Sequence, residues 1–220
     1  MPSTIRISHD NGLLQPIQGL HDPIDINVET IRSSPYFEKD HLLRLTDLDL
    51  PYKILALALR ALEPLDKVQY AFQDYRKTFN FDQVVHLIES ISKENGIQFP
   101  QLDKIYIVAF RSALLPDVRL SAHHRTRLAE IDKASHAEAN ISGGLLKYWY
   151  GTPDDLHGRN LATCFWRYKA DAKLGGGGPA HRQGMREVKG WYEHWAIEEY
   201  RLDIYEGAKG YELTQWSDAN

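Results

Sequence analysis

The sequence predicts an α+β fold in which a helical amino-terminal extension, residues 1–100, precedes a ferredoxin-like β-α-β-β-α-β domain over residues 101–220. Three observations carry this. Strand-like and helix-like segments alternate after Phe99-Pro100, two aromatic runs of strand length flank the turn-forming TPDDLHGR, and the sustained apolar periods before residue 100 are helical.

Residues 1 to about 40 scatter Pro, Asp, Asn and Ser without a sustained hydrophobic period, which reads as an arm laid on the surface. Ile24, Ile26 and Val28 alternate and form its one strand-like fragment. Leu42, Leu43, Leu45, Leu48 and Leu50 lead into Pro51. After it KILALALRAL is apolar almost all round and stops before Pro64, the pattern of a buried helix opened by an early proline. FDQVVHLIESISKENG places Phe81, Val84, Val85, Ile88 and Ile91 on one helical face, with Asn80 as its cap and Asn95-Gly96 as its end. Between the two helices, DKVQYAFQDYRKTFN fits either a short helix or an irregular connector.

Past Pro100, KIYIVAFRS is a β-branched and aromatic strand, and RLSAHHRTRLAEIDKASHAEANISGG is a helix closed by Gly143 and Gly144. GLLKYWYG and NLATCFWRY form a hairpin, since TPDDLHGR between them carries the Pro, Asp and Gly of a turn. Pro179 to about His194 has helical spacing, and AIEEYRLDIYEG returns to a strand period through Ile197, Tyr200, Leu202 and Ile204. Alternation puts Leu146, Tyr148 and Tyr150 opposite Leu145, Lys147 and Trp149, and Ala162, Cys164, Trp166 and Tyr168 opposite Leu161, Thr163, Phe165 and Arg167. Large aromatic groups on both faces call for a sheet covered on both sides, by helices on one and by a second subunit on the other. A homodimer is expected, unless the first hundred residues fold over that second face.

Composition narrows the function classes. Lys+Arg 26 against Asp+Glu 30 gives a net charge of -4, without the basic footprint that holds nucleic acid or an anionic membrane, so neither is an expected partner. Cys164 is the sole cysteine and cannot form an internal disulfide or a Cys-rich zinc site. The amino terminus has no signal-peptide pattern and no run approaches the roughly 20 apolar residues that span a bilayer, so a cytoplasmic protein is expected.

In topology and spacing, residues 103–206 resemble the dimeric α+β barrel superfamily, which includes antibiotic-biosynthesis monooxygenase-like proteins and haem-handling relatives. The tracts HLLRLTDLDLPYKILALALRAL, DKASHAEANISGGLLKYWYG and GRNLATCFWRYKADAKLGGGGPAH also resemble a family of mostly uncharacterised fungal proteins. The superfamily resemblance implies paired subunits, each with a pocket between sheet and helices. It also implies a choice among cofactor-free oxygenases, isomerases, lyases, haem enzymes and stress proteins that the fold alone does not make.

Two functions are therefore carried forward. The first is a small-molecule enzyme of specialised or detoxifying metabolism, doing cofactor-free proton-transfer chemistry of the isomerase, cyclase, lyase or cofactor-free oxygenase type in an aromatic-lined pocket. The alternative is a non-catalytic ligand-binding or stress-response dimeric protein. Asp132 and His136 are spaced i, i+4 on one helix face, where a carboxylate can orient an imidazole, although a solvated surface pair has the same spacing. Tyr148 is the candidate for stabilising an oxyanion, and His181, beside the run LGGGGPAH, is the second candidate histidine, on a flap or a plain loop. Trp166 and Tyr150 are expected to line the pocket, and Arg111 and Arg167 either to receive a carboxylate or enolate or to pair with Glu198, Glu199 or Asp203. No HExxH, P-loop, dinucleotide fingerprint or CxxCH tract is present, so no metal and no cofactor is expected; a haem would need one axial histidine, for which His136 or His181 would serve.

Overall fold

The computed structural model describes residues 5–8 and 24–217. In chain order the elements are β1 (Ile5–Ser8), β2 (Thr30–Ile31), β3 (Leu43–Arg44), α1 (Leu50–Ala58), α2 (Phe81–Glu94), β4 (Leu102–Leu114), α3 (Pro116–Leu120), α4 (Ala122–Ser142), β5 (Leu145–Tyr150), β6 (Arg159–Trp166), α5 (Lys169–Gly175), α6 (Pro179–Glu187), β7 (Tyr192–Ile204) and β8 (Gly210–Gln215). The main sheet runs β1-β8-β7-β4-β6-β5, with every pairing antiparallel. Its segment β7-β4-β6-β5 has the strand order of a ferredoxin-like unit, fourth-first-third-second, with α4 as the first crossover helix and α5 and α6 together as the second.

Two edge strands extend that unit. The chain turns at Glu206–Ala208, where Gly207 takes a left-handed φ of 67°, and returns as β8 alongside β7. β1, from the amino-terminal arm, then pairs with β8. The fragment Ile24, Ile26 and Val28 is not a strand; its side chains pack against the main core instead. β7 begins at Tyr192, so the helix expected to reach His194 stops at Glu187.

The extension supplies the second layer. Pro51 opens α1, and Tyr52 and Ile54 to Ala58 are buried. α2 buries the predicted face of Phe81, Val84, Val85, Ile88 and Ile91. Asn80 is not a side-chain cap: its Oδ1 accepts from the Glu63 amide and its Nδ2 donates to the Ala61 carbonyl, tying the two ends of the intervening segment together. That segment is irregular apart from one 3-10 turn at Tyr75–Lys77, yet it buries Tyr70, Tyr75 and Phe79. These residues and the β4, β6 and β7 side chains Ile107, Leu161, Phe165 and Leu202 form one continuous apolar core. The sheet face assigned to a second subunit is thus occupied by the chain's own residues 45–99.

One irregularity changes the faces of β5. A bulge between Leu145 and Lys147 turns Leu146 toward the extension's core, and Leu145, not Leu146, shares the helix side with Tyr148. On β6 the expected alternation holds: Leu161, Thr163 and Phe165 face the extension, and Cys164 and Trp166 the helices.

Candidate active site

The helix side of the sheet carries a buried polar cluster. α4 is polar around most of its circumference, and segment 36–42 is laid along it by contacts to four of its residues. The Tyr36 hydroxyl donates to Asp132. Lys133 donates to Glu38 at 2.5 Å, Nδ1 of His41 lies 2.8 Å from Nδ1 of His136, and the Asn140 amide donates to the carbonyls of Asp40 and Leu42, both at 3.0 Å. Positions 132, 136 and 140 follow the helical period, so one face of α4 makes all but the Lys133 contact. From β5, the Tyr148 hydroxyl donates to the other oxygen of Asp132 at 2.6 Å.

The rings are equally close. Tyr36 lies 4.6 Å from His41 and 5.2 Å from His136 by centroid, and His136 lies 5.4 Å from Tyr148. Tyr150, 40% exposed, continues this row toward solvent at 5.8 Å from Tyr148. His41 and His136 are 1% and 4% exposed. Nε2 of His136 has no hydrogen-bond partner among the described residues, nor does Nδ1 of His181. Most buried polar atoms are paired, so three unpartnered imidazole nitrogens in the helix layer, the third being Nδ1 of His124 on α4, mark it out.

Burial pushes the His136 imidazole down to about 4, helped by the neighbouring His41, so it is neutral near pH 7. Burial also raises the Asp132 carboxyl, against the two tyrosine hydroxyls that favour its anion. Tyr36 and Tyr148 are raised, first by burial and then by Asp132. Burial lowers His181, opposed by Glu138 and Asp132.

Glu138 sets the position of His181. Its carboxylate accepts from the backbone amides of Ala180 and His181, at 2.7 and 3.2 Å, at the start of α6. Gly178 makes this possible, because a Cβ there would overlap the Glu138 carboxylate. Gly175 is packed against the Trp166 ring in the same way, so the glycine run is a close-packed junction between α5 and α6 and not a loose flap.

The other expected site residues separate. Asp132 does not orient His136: both its oxygens are taken by tyrosines, and His136 pairs with His41. The Tyr148 hydroxyl hydrogen is committed to Asp132 and is not free for an oxyanion. Trp166 packs with Tyr106, Ala139 and Leu145 as core. Arg167 pairs with Asp171 at 3.0 Å. Arg111 faces the extension and lines a cleft of about 420 Å³ with Arg159, Glu198, Tyr200 and the 71–76 segment. Its three guanidinium nitrogens donate to Glu198 and to the carbonyls of Ala71 and Gln73, so it braces the segment.

Tyr36 and His41 were not singled out by the sequence, since YFEKDH has no period and His41 meets His136 only across 95 residues. Among the described residues, no group of three or more His, Cys, Asp or Glu side chains is placed to hold a metal ion, and no helix is long and apolar enough to cross a membrane.

A profile of the PB2B2.08-like family matches residues 32–215. The UPF0643 protein PB2B2.08 of Schizosaccharomyces pombe is 49% identical over 212 residues, covering 94% of each chain. Among solved structures, a Mycobacterium tuberculosis protein is 18% identical over 43% of this chain and 90% of its own, with a TM-score of 0.35. A Nitrosomonas europaea protein described as a candidate antibiotic biosynthesis monooxygenase is 12% identical over 44% of this chain and 96% of its own, with a TM-score of 0.37.

Proposed function

The chain belongs to the PB2B2.08-like family, a family whose name carries no reaction, and from the site itself we propose a proton-transfer enzyme for a small organic substrate, with Nε2 of His136 taking and returning the proton. The supporting observation is the pairing of His41 and His136 through their Nδ1 atoms. One of the two nitrogens must carry the hydrogen and the other the lone pair. Asp40 lies 4.0 Å from Nε2 of His41 and favours a hydrogen there, which leaves Nδ1 of His41 as the acceptor. His136 then donates through Nδ1, and its Nε2 is a bare lone pair in a buried layer. That is the state of a general base.

In the proposed cycle a C–H or O–H proton of the substrate passes to Nε2 of His136. The imidazolium charge is shared with His41 through the Nδ1 contact, and Asp40 stabilises it at the surface. Return of the proton to a second atom gives isomerisation or cyclisation, and its delivery to a leaving group gives elimination. The role first given to the Asp132–His136 pair passes to His41–His136, while Asp132 holds Tyr36 and Tyr148 as the walls. His181, whose Nδ1 makes no hydrogen bond and lies 3.9 Å from the Glu138 carboxylate, is the neighbouring group that would meet developing oxyanion charge. In this reading residues 101–220 are the catalytic domain, and residues 1–100 are the extension that completes it with His41.

The test is solvent deuterium exchange. The full chain is incubated in D2O with a panel of enolisable carbonyl compounds and followed by proton NMR. At least one compound is expected to exchange, and His136→Ala to slow it by about two to four orders of magnitude. Full exchange in that variant, or none above the spontaneous rate across the panel, overturns the reading. A ligand-binding protein without chemistry is the second reading, favoured by the Arg111 cleft, whose lining includes neither His136 nor His181.

A further inference from the structure

β4 sets Arg111 against Leu161 of β6 and Ala196 of β7, Ala113 against Arg159, and Ala109 against Glu198. Arg111, Arg159 and Glu198 therefore share the sheet face turned to the extension, with Arg159 and Glu198 on opposite diagonals of Arg111. With the 71–76 segment as its outer wall, this corner of the sheet forms the cleft of about 420 Å³. Three arginines and two carboxylates line it, and all but one of them are answered by neighbours. Arg111 is bound by Glu198 and two backbone carbonyls, the other Glu198 oxygen accepts from the Tyr200 hydroxyl at 2.8 Å, and Nε of Arg76 donates to Asp74 at 3.0 Å. Arg159 is the exception. Half-buried, it makes no ion pair and no side-chain hydrogen bond among the described residues, and its guanidinium carbon lies 5.7 Å from the centroid of the Phe72 ring. Phe72 is 46% exposed, with His157 edge-on to it at 6.2 Å.

A guanidinium that offers five N–H donors and meets only a ring face is matched by a carboxylate, whose two oxygens accept side by side from its planar fork. The charges agree. With Arg111 and Arg76 neutralised by Glu198 and Asp74, one positive charge is left in the cleft, and a single carboxylate balances it. A dianion would bring surplus negative charge against those same two acids. The volume beyond the carboxylate takes an apolar body, for which the exposed part of Phe72 is the contact. We propose that the cleft binds a small organic monocarboxylate, its carboxylate gripped by Arg159 and its body laid against Phe72. The receiving role expected of Arg111 thus passes to Arg159, while Arg111 holds the wall. The proposal rests on the cleft of the second reading and supplies its ligand class; His136 lies on the helix side of the sheet and takes no part.

Benzoate is the probe, because it is planar, singly charged and without an enolisable hydrogen, so it reports binding and not proton transfer. Titrated into the full chain, it is expected to bind in the millimolar range, with NOEs from its ring protons to those of Phe72, a readout that needs no variant. Benzamide, of the same shape without the charge, and inorganic phosphate are each expected to bind about tenfold more weakly, and Arg159→Gln to raise the benzoate Kd about tenfold. Arg159→Lys, which keeps the charge and loses the fork, is expected to fall between. No NOE to Phe72, or an unchanged Kd in Arg159→Gln, overturns the proposal. Benzamide bound as tightly as benzoate also overturns it, and leaves the second reading its ligand site without a carboxylate anchor. Phosphate bound more tightly than benzoate overturns the ligand class.

Discussion

The two faces of the sheet are built on opposite principles. Toward the extension, Ile107, Leu161, Phe165 and Leu202 meet Phe81, Val85 and Ile88 in a continuous apolar core, in which the Tyr75 hydroxyl pairs with that of Thr163 at 2.7 Å. Toward the helices, the apolar cluster is small, around Tyr106, Ala139, Leu145 and Trp166, and much of the remaining space holds Tyr36, His41, Asp132, His136 and Tyr148. One face holds the protein together. The other gives part of its packing to titratable groups and hydroxyls, and among the described residues leaves three imidazole nitrogens unpaired, Nδ1 of His124, Nε2 of His136 and Nδ1 of His181.

That contrast sets the size of what each face loses on mutation. Phe81 is 1% exposed and touches the rings of Tyr75, Phe79, Phe165 and Tyr211, so Phe81→Ala is expected to cost about 3–5 kcal/mol in urea unfolding. A loss below about 1 kcal/mol would mean that the extension is not the sheet's main support.

The polar face is expected to answer to pH instead. His136 titrates at about 4 when folded and near 6.5 when unfolded, so the unfolded chain binds more protons between those values. The stability it contributes is complete above pH 6.5 and is lost, by about 3 kcal/mol, as pH falls toward 4. Asp132, raised in the folded state, works in the opposite sense from its ordinary value upward and blunts the slope. His136→Phe should remove the acid-side loss and leave the reverse slope of Asp132; a Tm-pH profile unchanged by that substitution would break the assignment.

Smaller effects sharpen the comparison. Tyr36→Phe and Tyr148→Phe are each expected to cost about 1–2 kcal/mol, and the double variant to depart from additivity, because both hydroxyls serve one carboxylate. Strict additivity would show the two bonds to be independent. On the apolar face, Tyr75→Phe is expected to cost only about 1 kcal/mol, since the ring stays and one bond to Thr163 goes.

What was legible in the sequence follows the same division. Elements whose residues repeat a period, such as Phe81 to Ile91 or Ala162 to Trp166, are readable because burial itself imposes the period. The bulge at Leu146 exchanges the expected faces of Leu145 and Leu146 and leaves the rest of β5 as read, because one extra residue in a strand leaves no mark on its composition. β8 went unread although YELTQ alternates after Gly210, since the ferredoxin-like pattern was already complete at β7. His136 and Asp132 were found by helical spacing, but their partners Tyr36 and His41 lie about a hundred residues away in an arm without a period. Spacing along one helix reports a shared face and is silent on what covers it.

The account rests on the tautomer of His136, which long-range proton–nitrogen NMR of the 15N-labelled chain reads directly at neutral pH. The prediction is a hydrogen-bearing Nδ1 and a lone-pair Nε2 on His136, with the opposite arrangement on His41. A hydrogen on Nε2 of His136, with Nδ1 accepting from His41, would leave no base facing the buried layer and would contradict the proposed chemistry.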